Sequence, residues 1–492
     1  MAEGTAPSLA RNAINLPAVV FQSVATMGPG VGLAYSIGVG ALFAGGAEPL
    51  SVILALAACL FVAIAIGQLA KHMPSAGGPA TYTARGLHPS VGFVVAWAYS
   101  FLYFLATAFL LLLVGYLFAG VAQSEFGWNY TASWIAATTV SGIGVFFLNY
   151  TGIRVNTAAG LIFGIFEMVI FAALSIFLIV KAGSHNTLAV LGTKYATVKG
   201  FRGLSGVFAG SVYAILAFIG FDAAAPLGEE ARDPRRTIKY AVVGSALLVG
   251  VYYLFATYAA AVFFGPEKFG AFPGYNDSNP WVALARSAWG IGWVLVFITL
   301  LNSAQANTNG VANAATRVLW SMGRNGILPK AFASVSPKHR SPSVATLFTF
   351  VGGLALALVL GVKYTPTMAY AMLGTMIVGL VIPVYMLLCL ASIVYYLREQ
   401  RREFNVLTHL ILPVLGIAVF VPPLLAGLGV TALGFSWIAP LAYPLNLATW
   451  VVVIWYALGI VLAGYFMARQ PARLRQTAAI FEEDEPSAVV PA

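Results

Sequence analysis

Phe218-Ile219-Gly220-Phe221-Asp222-Ala223 places a carboxylate beside a glycine inside an otherwise apolar span, Val207 to Leu227. Hydrocarbon offers Asp222 no water, and a charged side chain at the bilayer centre costs at least ~2.5 kcal/mol. Such a residue survives where it faces a cavity, and Gly220 marks a point where the helix unwinds to line one. A second interruption, Met27-Gly28-Pro29-Gly30-Val31, falls in the first apolar span. Paired breaks in corresponding spans of two halves point to a binding site between repeats.

Composition places the chain in a bilayer. Of 492 residues, 60% are hydrophobic and 9% charged, so water cannot be the solvent for most of the surface. The net charge of +10 sits in short segments between apolar spans, which fits a membrane surface and not a nucleic-acid partner. Cys59 and Cys389 lie within spans and have no disulfide or metal spacing. Met1 to Asn15 is short and polar, without the pattern of a cleavable signal.

Twelve apolar spans are expected, approximately 16–40, 48–70, 90–121, 131–150, 156–182, 205–228, 238–264, 287–322, 343–362, 366–397, 409–430 and 446–468. Several exceed the ~20 residues that cross ~30 Å of hydrocarbon, so tilt, breaks or projection are expected. The gaps 183–204 and 265–286 read as loops, and Glu482-Glu483-Asp484-Glu485 as a disordered acidic tail. With the N-terminus inside, 19 of the 26 Lys and Arg residues fall on inner segments, Arg232, Arg235, Arg236, Arg398, Arg401 and Arg402 among them. The outer segments hold Lys181, Lys194, Lys199, Arg202, Lys268, Arg286 and Lys363. That bias puts both termini in the cytoplasm.

Three inner segments carry a resemblance. Ser75-Ala76-Gly77-Gly78-Pro79-Ala80-Thr81-Tyr82 follows the second span, and Gly228-Glu229-Glu230-Ala231-Arg232-Asp233-Pro234-Arg235-Arg236-Thr237 follows the sixth. Asn313-Ala314-Ala315-Thr316-Arg317 through Arg324-Asn325-Gly326-Ile327-Leu328-Pro329 ends the eighth. In this order, at these spans, they resemble the amino acid–polyamine–organocation permease superfamily over spans 1 to 10. The resemblance implies an all-α integral membrane protein of twelve transmembrane helices. Spans 1–5 and 6–10 form a five-plus-five inverted repeat with discontinuous helices 1 and 6, followed by two accessory helices. The expected organisation is a cytoplasmic segment 1–15, a transport core 16–397, accessory helices 398–468 and a cytoplasmic tail 469–492.

Unwinding at Gly28–Gly30 frees amide donors at the start of a half-helix, whose dipole suits an anionic group. Unwinding at Phe218–Gly220 frees carbonyls, which suit an ammonium. An amino acid zwitterion satisfies both, so Met27, Gly28, Pro29, Gly30, Val31, Phe218, Ile219, Gly220 and Phe221 are the candidate substrate site. Glycines also serve helix packing in membranes, but Gly-Pro-Gly in mid-span favours a break. Members of the superfamily often carry Gly-Ser-Gly at the first break, where backbone and hydroxyl hold the substrate carboxylate. Pro29 has neither N–H nor hydroxyl; this departure leaves room for a substrate without a carboxylate, such as an amine.

Asp222 has three readings: attraction of a cationic group, proton binding, or a hydrogen-bonded support of the break. The resemblance places an acid here in many members, so Asp222 alone does not name the substrate. Glu167 is the only acid in the fifth span and lies near its middle. Counted from Gly152-Ile153-Arg154, it falls where some proton-coupled relatives carry a lysine and others a glutamate. That lysine lies beside spans 1 and 8, at the place of a sodium ion in sodium-coupled cousins. Glu167 therefore reads as a proton carrier or as a structural tie between helices; no carboxylate cluster suggests a sodium site. On the eighth span Asn302, Gln305, Asn309 and Asn313 share a helical face, and Asn302 and Gln305 are the better cavity candidates. Tyr99 and Tyr103 share a face of the third span, as do Trp97 and Phe101, and serve either as gates or as packing anchors.

The expected activity is secondary-active uptake of an amino acid, coupled to H+, by alternating access in the plasma membrane. A polyamine- or ethanolamine-type amine transporter, or an exchanger, is the alternative. The partners are a small amino acid or amine, H+ and lipid, with no cofactor. An enzyme is disfavoured: His72, His88, His185, His339 and His409 fall in or beside loops, and there is no nucleophile–base set or metal spacing. A channel or a transport-like receptor is the remaining rival class.

Overall fold

In hydrocarbon every backbone polar group needs a partner within the chain, so apolar runs of this length fold as helices. The computed structural model describes residues 13–151, 153–275, 279–430, 434, 438 and 441–476. Most of the expected N-terminal segment and the acidic tail Glu482–Glu485 lie outside the described residues.

The helices are α1 (Leu16–Met27), α2 (Pro29–Val31), α3 (Gly38–Ala44), α4 (Glu48–Ala70), α5 (Pro79–Gly86), α6 (Pro89–Phe126), α7 (Tyr130–Tyr150), α8 (Ile153–Ala182), α9 (Leu204–Phe218), α10 (Pro234–Phe264), α11 (Pro280–Trp289), α12 (Trp293–Arg324), α13 (Ser343–Tyr364), α14 (Pro366–Arg398), α15 (Leu412–Gly427), α16 (Asn446–Arg469) and α17 (Pro471–Gln476). Among the described residues, 11 helical stretches are long and apolar enough to cross a membrane. The first, Leu16–Ala70, has 55 residues, more than twice the ~20 that one crossing needs. It turns back at Gly45–Ala47, where Gly45 takes φ 57. The protein is an all-α multi-pass membrane protein.

The loops hold two surprises. The segment expected as loop at 183–204 contains a hairpin, β1 (Thr197–Val198) paired antiparallel with β2 (Phe201–Arg202). The segment 265–286 contains most of α11, started by Asn279, whose side chain accepts from the amides of Trp281 and Val282. The backbone amides of both turns thereby find partners.

The two interrupted spans lie against one another. α1 packs on the 3-10 turn Phe221–Leu227 that follows α9, and α3 packs on α9. Each half of one broken span thus meets a half of the other. α4, α8, α10 and α12 enclose this pair, and α6 and α14 pack together beside it. α15 packs on α14 and α4, and α16 on α6 and α14. The face bearing the start of α1, the loop after the 3-10 turn and the end of α16 is here called the basic face. The opposite one is the distal face.

The attachment of α16 is specific. Trp97 and Trp455 stack with ring centroids 4.4 Å apart, and each indole N–H donates to the other residue's carbonyl at 3.0 Å. Phe101 stacks on Trp455 at 4.1 Å. Stacked aromatic pairs add to area burial, so Trp455→Ala is expected to destabilise the protein by about 1–3 kcal/mol. Thermal unfolding in detergent checks this, with Trp455→Phe, which keeps a stacking ring, recovering part of the loss.

Candidate functional site

α1 stops at Met27 because Pro29 cannot donate to the helical ladder and Gly28 turns to φ 55, ψ 71. That left-handed conformation suits glycine. Gly28 N–H closes the cap on Val24 and Ala25 at 3.1 Å each. The second break has the same logic. α9 ends at Phe218, Ile219 is extended at ψ 125, and Gly220 takes φ 117. A Cβ on Gly220 would stand 2.8 Å from the Thr26 carbonyl oxygen, so the second break presses on the last turn of α1.

Side chains collect the backbone groups the breaks release. Tyr253 of α10 donates to Ala217 O at 3.0 Å and to Met27 O at 3.3 Å, touching both breaks at once. Ser23 donates to Phe221 O and accepts from Ala224 N–H, both at 3.0 Å. Ser303 of α12 accepts from Val31 N–H at 3.0 Å. These three residues were missed in the sequence reading. Serine and tyrosine inside apolar helices carry little signal, since the hydroxyl can return to its own helix.

Glu167 is fully buried on α8. Its carboxyl lies beside the Gly30 amide and the Ser303 hydroxyl, without a hydrogen bond of ordinary geometry to either. Asp222 is 2% exposed and is held on both oxygens. Tyr99 donates to Oδ2 at 2.5 Å and Tyr385 of α14 to Oδ1 at 2.8 Å. Tyr103 is buried with its ring 5.3 Å from that of Tyr99. Both carboxyl oxygens of Asp222 are thus engaged by tyrosine hydroxyls.

Polar residues of α12 divide between two directions. Gln305 exchanges hydrogen bonds with Ser141 of α7 through its amide oxygen at 2.5 Å and its amide nitrogen at 3.3 Å. Asn309 accepts from Asn149 of α7 at 2.9 Å. Gln305 is therefore turned to α7 and not to the break, which corrects its placement. Asn302 is half-buried on the same helix. The α12 side chains that reach the break are Ser303 and Asn307; a Cβ on Gly28 would meet Asn307 Cβ at 2.9 Å.

The amino acid permease family matches residues 14–466. The chain belongs to that family. It is 28% identical over 369 residues to the low-affinity putrescine importer PlaP of Escherichia coli (strain K12), covering 74% of this chain and 77% of that one. It is 26% identical over 348 residues to the branched-chain amino acid permease BcaP of Bacillus subtilis (strain 168), covering 65% and 69%. The glutamate/serine transporter AimA of the same organism is 25% identical over 346 residues, covering 65% and 62%. Family and relatives are transporters and not enzymes.

In this permease the two faces differ. On the basic face Glu229 receives both Arg324 nitrogens at 2.9 and 3.0 Å and the Ala76 amide at 3.0 Å. Buried Glu230 pairs with buried Arg317 at 3.1 Å. The arginines on these two acids, Arg317 and Arg324, come from the last turns of α12, a helix that packs on the 3-10 turn. Asp233 stands at the cap position of α10 but takes φ 44 and makes no side-chain cap, so its carbonyl, and not its carboxylate, receives Thr237 N–H at 2.8 Å. On the distal face a cavity of about 660 Å³ is lined by Tyr35 and Ser36 just after the first break and Leu216 just before the second.

Any side chain at Gly220 meets both a positive φ and the Thr26 carbonyl. Gly220→Leu, like Gly28→Leu, is expected to cost about 1–3 kcal/mol of local strain and to abolish substrate binding while membrane insertion persists. Ligand-dependent thermal shift checks this; unchanged affinity in both variants would place the pocket elsewhere.

Proposed function

We propose that the protein is a secondary-active amino acid permease of the plasma membrane, with both termini cytoplasmic, working by proton-coupled alternating access. In this reading the spans number twelve, with 1–5 and 6–10 as inverted repeats and the breaks at Gly28–Gly30 and Phe218–Gly220 forming the substrate site. The mutual packing of α1 on the 3-10 turn and of α3 on α9 supports the repeat. The excess of basic residues on inner segments supports the orientation.

The observation that carries the coupling is the position of Glu167 against Gly30 and Ser303. An ionised carboxylate there accepts from the Gly30 N–H and the Ser303 O–H. A proton turns one oxygen into a donor and leaves the other a weaker acceptor, which releases the two donors to a competing substrate carboxylate. The substrate ammonium then meets carbonyls around Phe218–Gly220. Loading of proton and substrate is thereby linked through two shared donors. Asp222, with Tyr99 and Tyr103, supports the second break on the path toward the basic face. The ion pairs Glu229–Arg324 and Glu230–Arg317 close that path until the bundle rocks.

The second reading is an organic amine transporter, or an exchanger of amino acids and amines. Pro29 favours it, since it withdraws one amide and any hydroxyl from the carboxylate side of the site. The similarity to a putrescine importer points the same way. If it holds, decarboxylated amines compete with amino acids for binding. Competition by amino acids alone at millimolar concentration returns Pro29 to a conformational role.

Glu167→Gln keeps shape and most hydrogen bonding but cannot titrate. In proteoliposomes it is expected to lose pH-driven accumulation while retaining binding and exchange, with Asp222→Asn as the comparison. Accumulation equal to wild type at an imposed pH gradient would remove Glu167 from the mechanism.

A further inference from the structure

Glu48 is a third acid in the membrane-spanning region, overlooked because it opens a span and so reads as an end residue. It is the first residue of α4 and is 0% exposed. Its carboxyl sits in a slot between α3 and α9, the distal halves of the two broken spans. Glycines form the slot: a Cβ on Gly40 would meet the carboxyl carbon at 2.7 Å, and one on Gly210 would meet Oε2 at 2.5 Å. Neither carboxyl oxygen has a hydrogen bond of ordinary geometry. The nearest polar group, the Ser51 hydroxyl, gives its hydrogen to Val207 O at 2.9 Å.

α3, the turn Gly45–Ala47 and the turn Leu188–Leu191 bring no titratable side chain to this end of α4. Among the other packed elements, α9 carries Tyr213, β2 against α9 carries Arg202, α4 itself carries Cys59, and α10 carries Tyr252, Tyr253 and Tyr258; Asp222 faces Cys59, and Tyr240 and the basic residues of α10 and the titratable groups of α5, α14 and 407–411 pack elsewhere along α4. Tyr195 covers Gly45 and Gly46 beside Lys194, and Pro266 adjoins Gly46 ahead of Glu267 and Lys268. None of these supplies a counter-charge to Glu48.

We propose that Glu48 is a proton-binding site whose occupancy locks α3 against α9. Burying an unpaired carboxylate costs several kcal/mol, so the slot accepts this side chain only as the uncharged acid. Val39, next to Gly40, and Ala209, next to Gly210, line the distal cavity. Parting α3 from α9 therefore wets the slot from that cavity. The carboxyl then gives its proton to water, and closure takes one back. Phe43 on α3 stacked on Tyr213 of α9, at 5.3 Å, closes the same seam.

The proposal rests on the alternating-access reading only for the motion of α3 against α9. The test is alkylation of Val39→Cys in full-length protein in proteoliposomes by a membrane-impermeant maleimide, normalised to Ser184→Cys on the exposed distal loop. Labelling should rise with pH by up to about tenfold per unit, the limit for one linked proton. Glu48→Gln should label slowly at every pH, and Gly210→Ala, which fills the slot, quickly at every pH. Labelling is read without substrate and without an imposed pH gradient, so a failure of the coupling reading, which shows as accumulation in Glu167→Gln, leaves this test standing. A wild-type profile in Glu48→Gln, or slow labelling in Gly210→Ala, overturns the proposal.

Discussion

A helix cannot be interrupted inside hydrocarbon unless the amides and carbonyls it releases find partners in the protein. Here two interruptions satisfy one another through a few hydroxyls. Tyr253 donates to carbonyls on both breaks, Ser23 bridges α1 to the turn after α9, and Ser303 takes an amide from the first. Glycine and proline open each break locally, and these hydroxyls tie the two together. The crossing of these spans consequently fixes where the surrounding helices stand.

That crossing leaves three acids in different conditions. Asp222 is held on both oxygens by tyrosines from α6 and α14. Glu167 stands behind the first break, beside donors it does not fully engage. Glu48 fills a glycine slot farther toward the distal face. Partners, and not depth alone, separate their roles, because a buried carboxylate with donors and one without differ by several kcal/mol in their tolerance of charge.

The two faces are correspondingly unequal. The basic face is closed by two arginine–glutamate pairs, one of them fully buried, and by the turn at Gly78 packed 3.1 Å from Pro226 N by the measure of an added Cβ. The distal face holds the cavity. Ion pairs are suited to the closed side, because separation leaves both charges able to hydrate, whereas an aromatic-lined cavity needs no counter-charges.

The sequence by itself determined that the chain spans a membrane, where most spans begin and end, and that helices are broken at Gly28 and Gly220. Apolar runs, glycine and proline act locally, and each needs only its own neighbours in the chain to be read. The three inner motifs added the family. Tertiary structure decided which side chain meets which break. Gln305 and Ser303 lie two positions apart on one helix, yet the rotation of α12 sends the first to α7 and the second to Val31. The same rotation brings Arg317 and Arg324 to Glu230 and Glu229, partners 87 and 95 residues away in sequence. Glu48 shows the limit most clearly. Its burial follows from glycines eight residues before it and 162 residues after it, and no local pattern records that two helices so far apart in sequence close over one carboxyl.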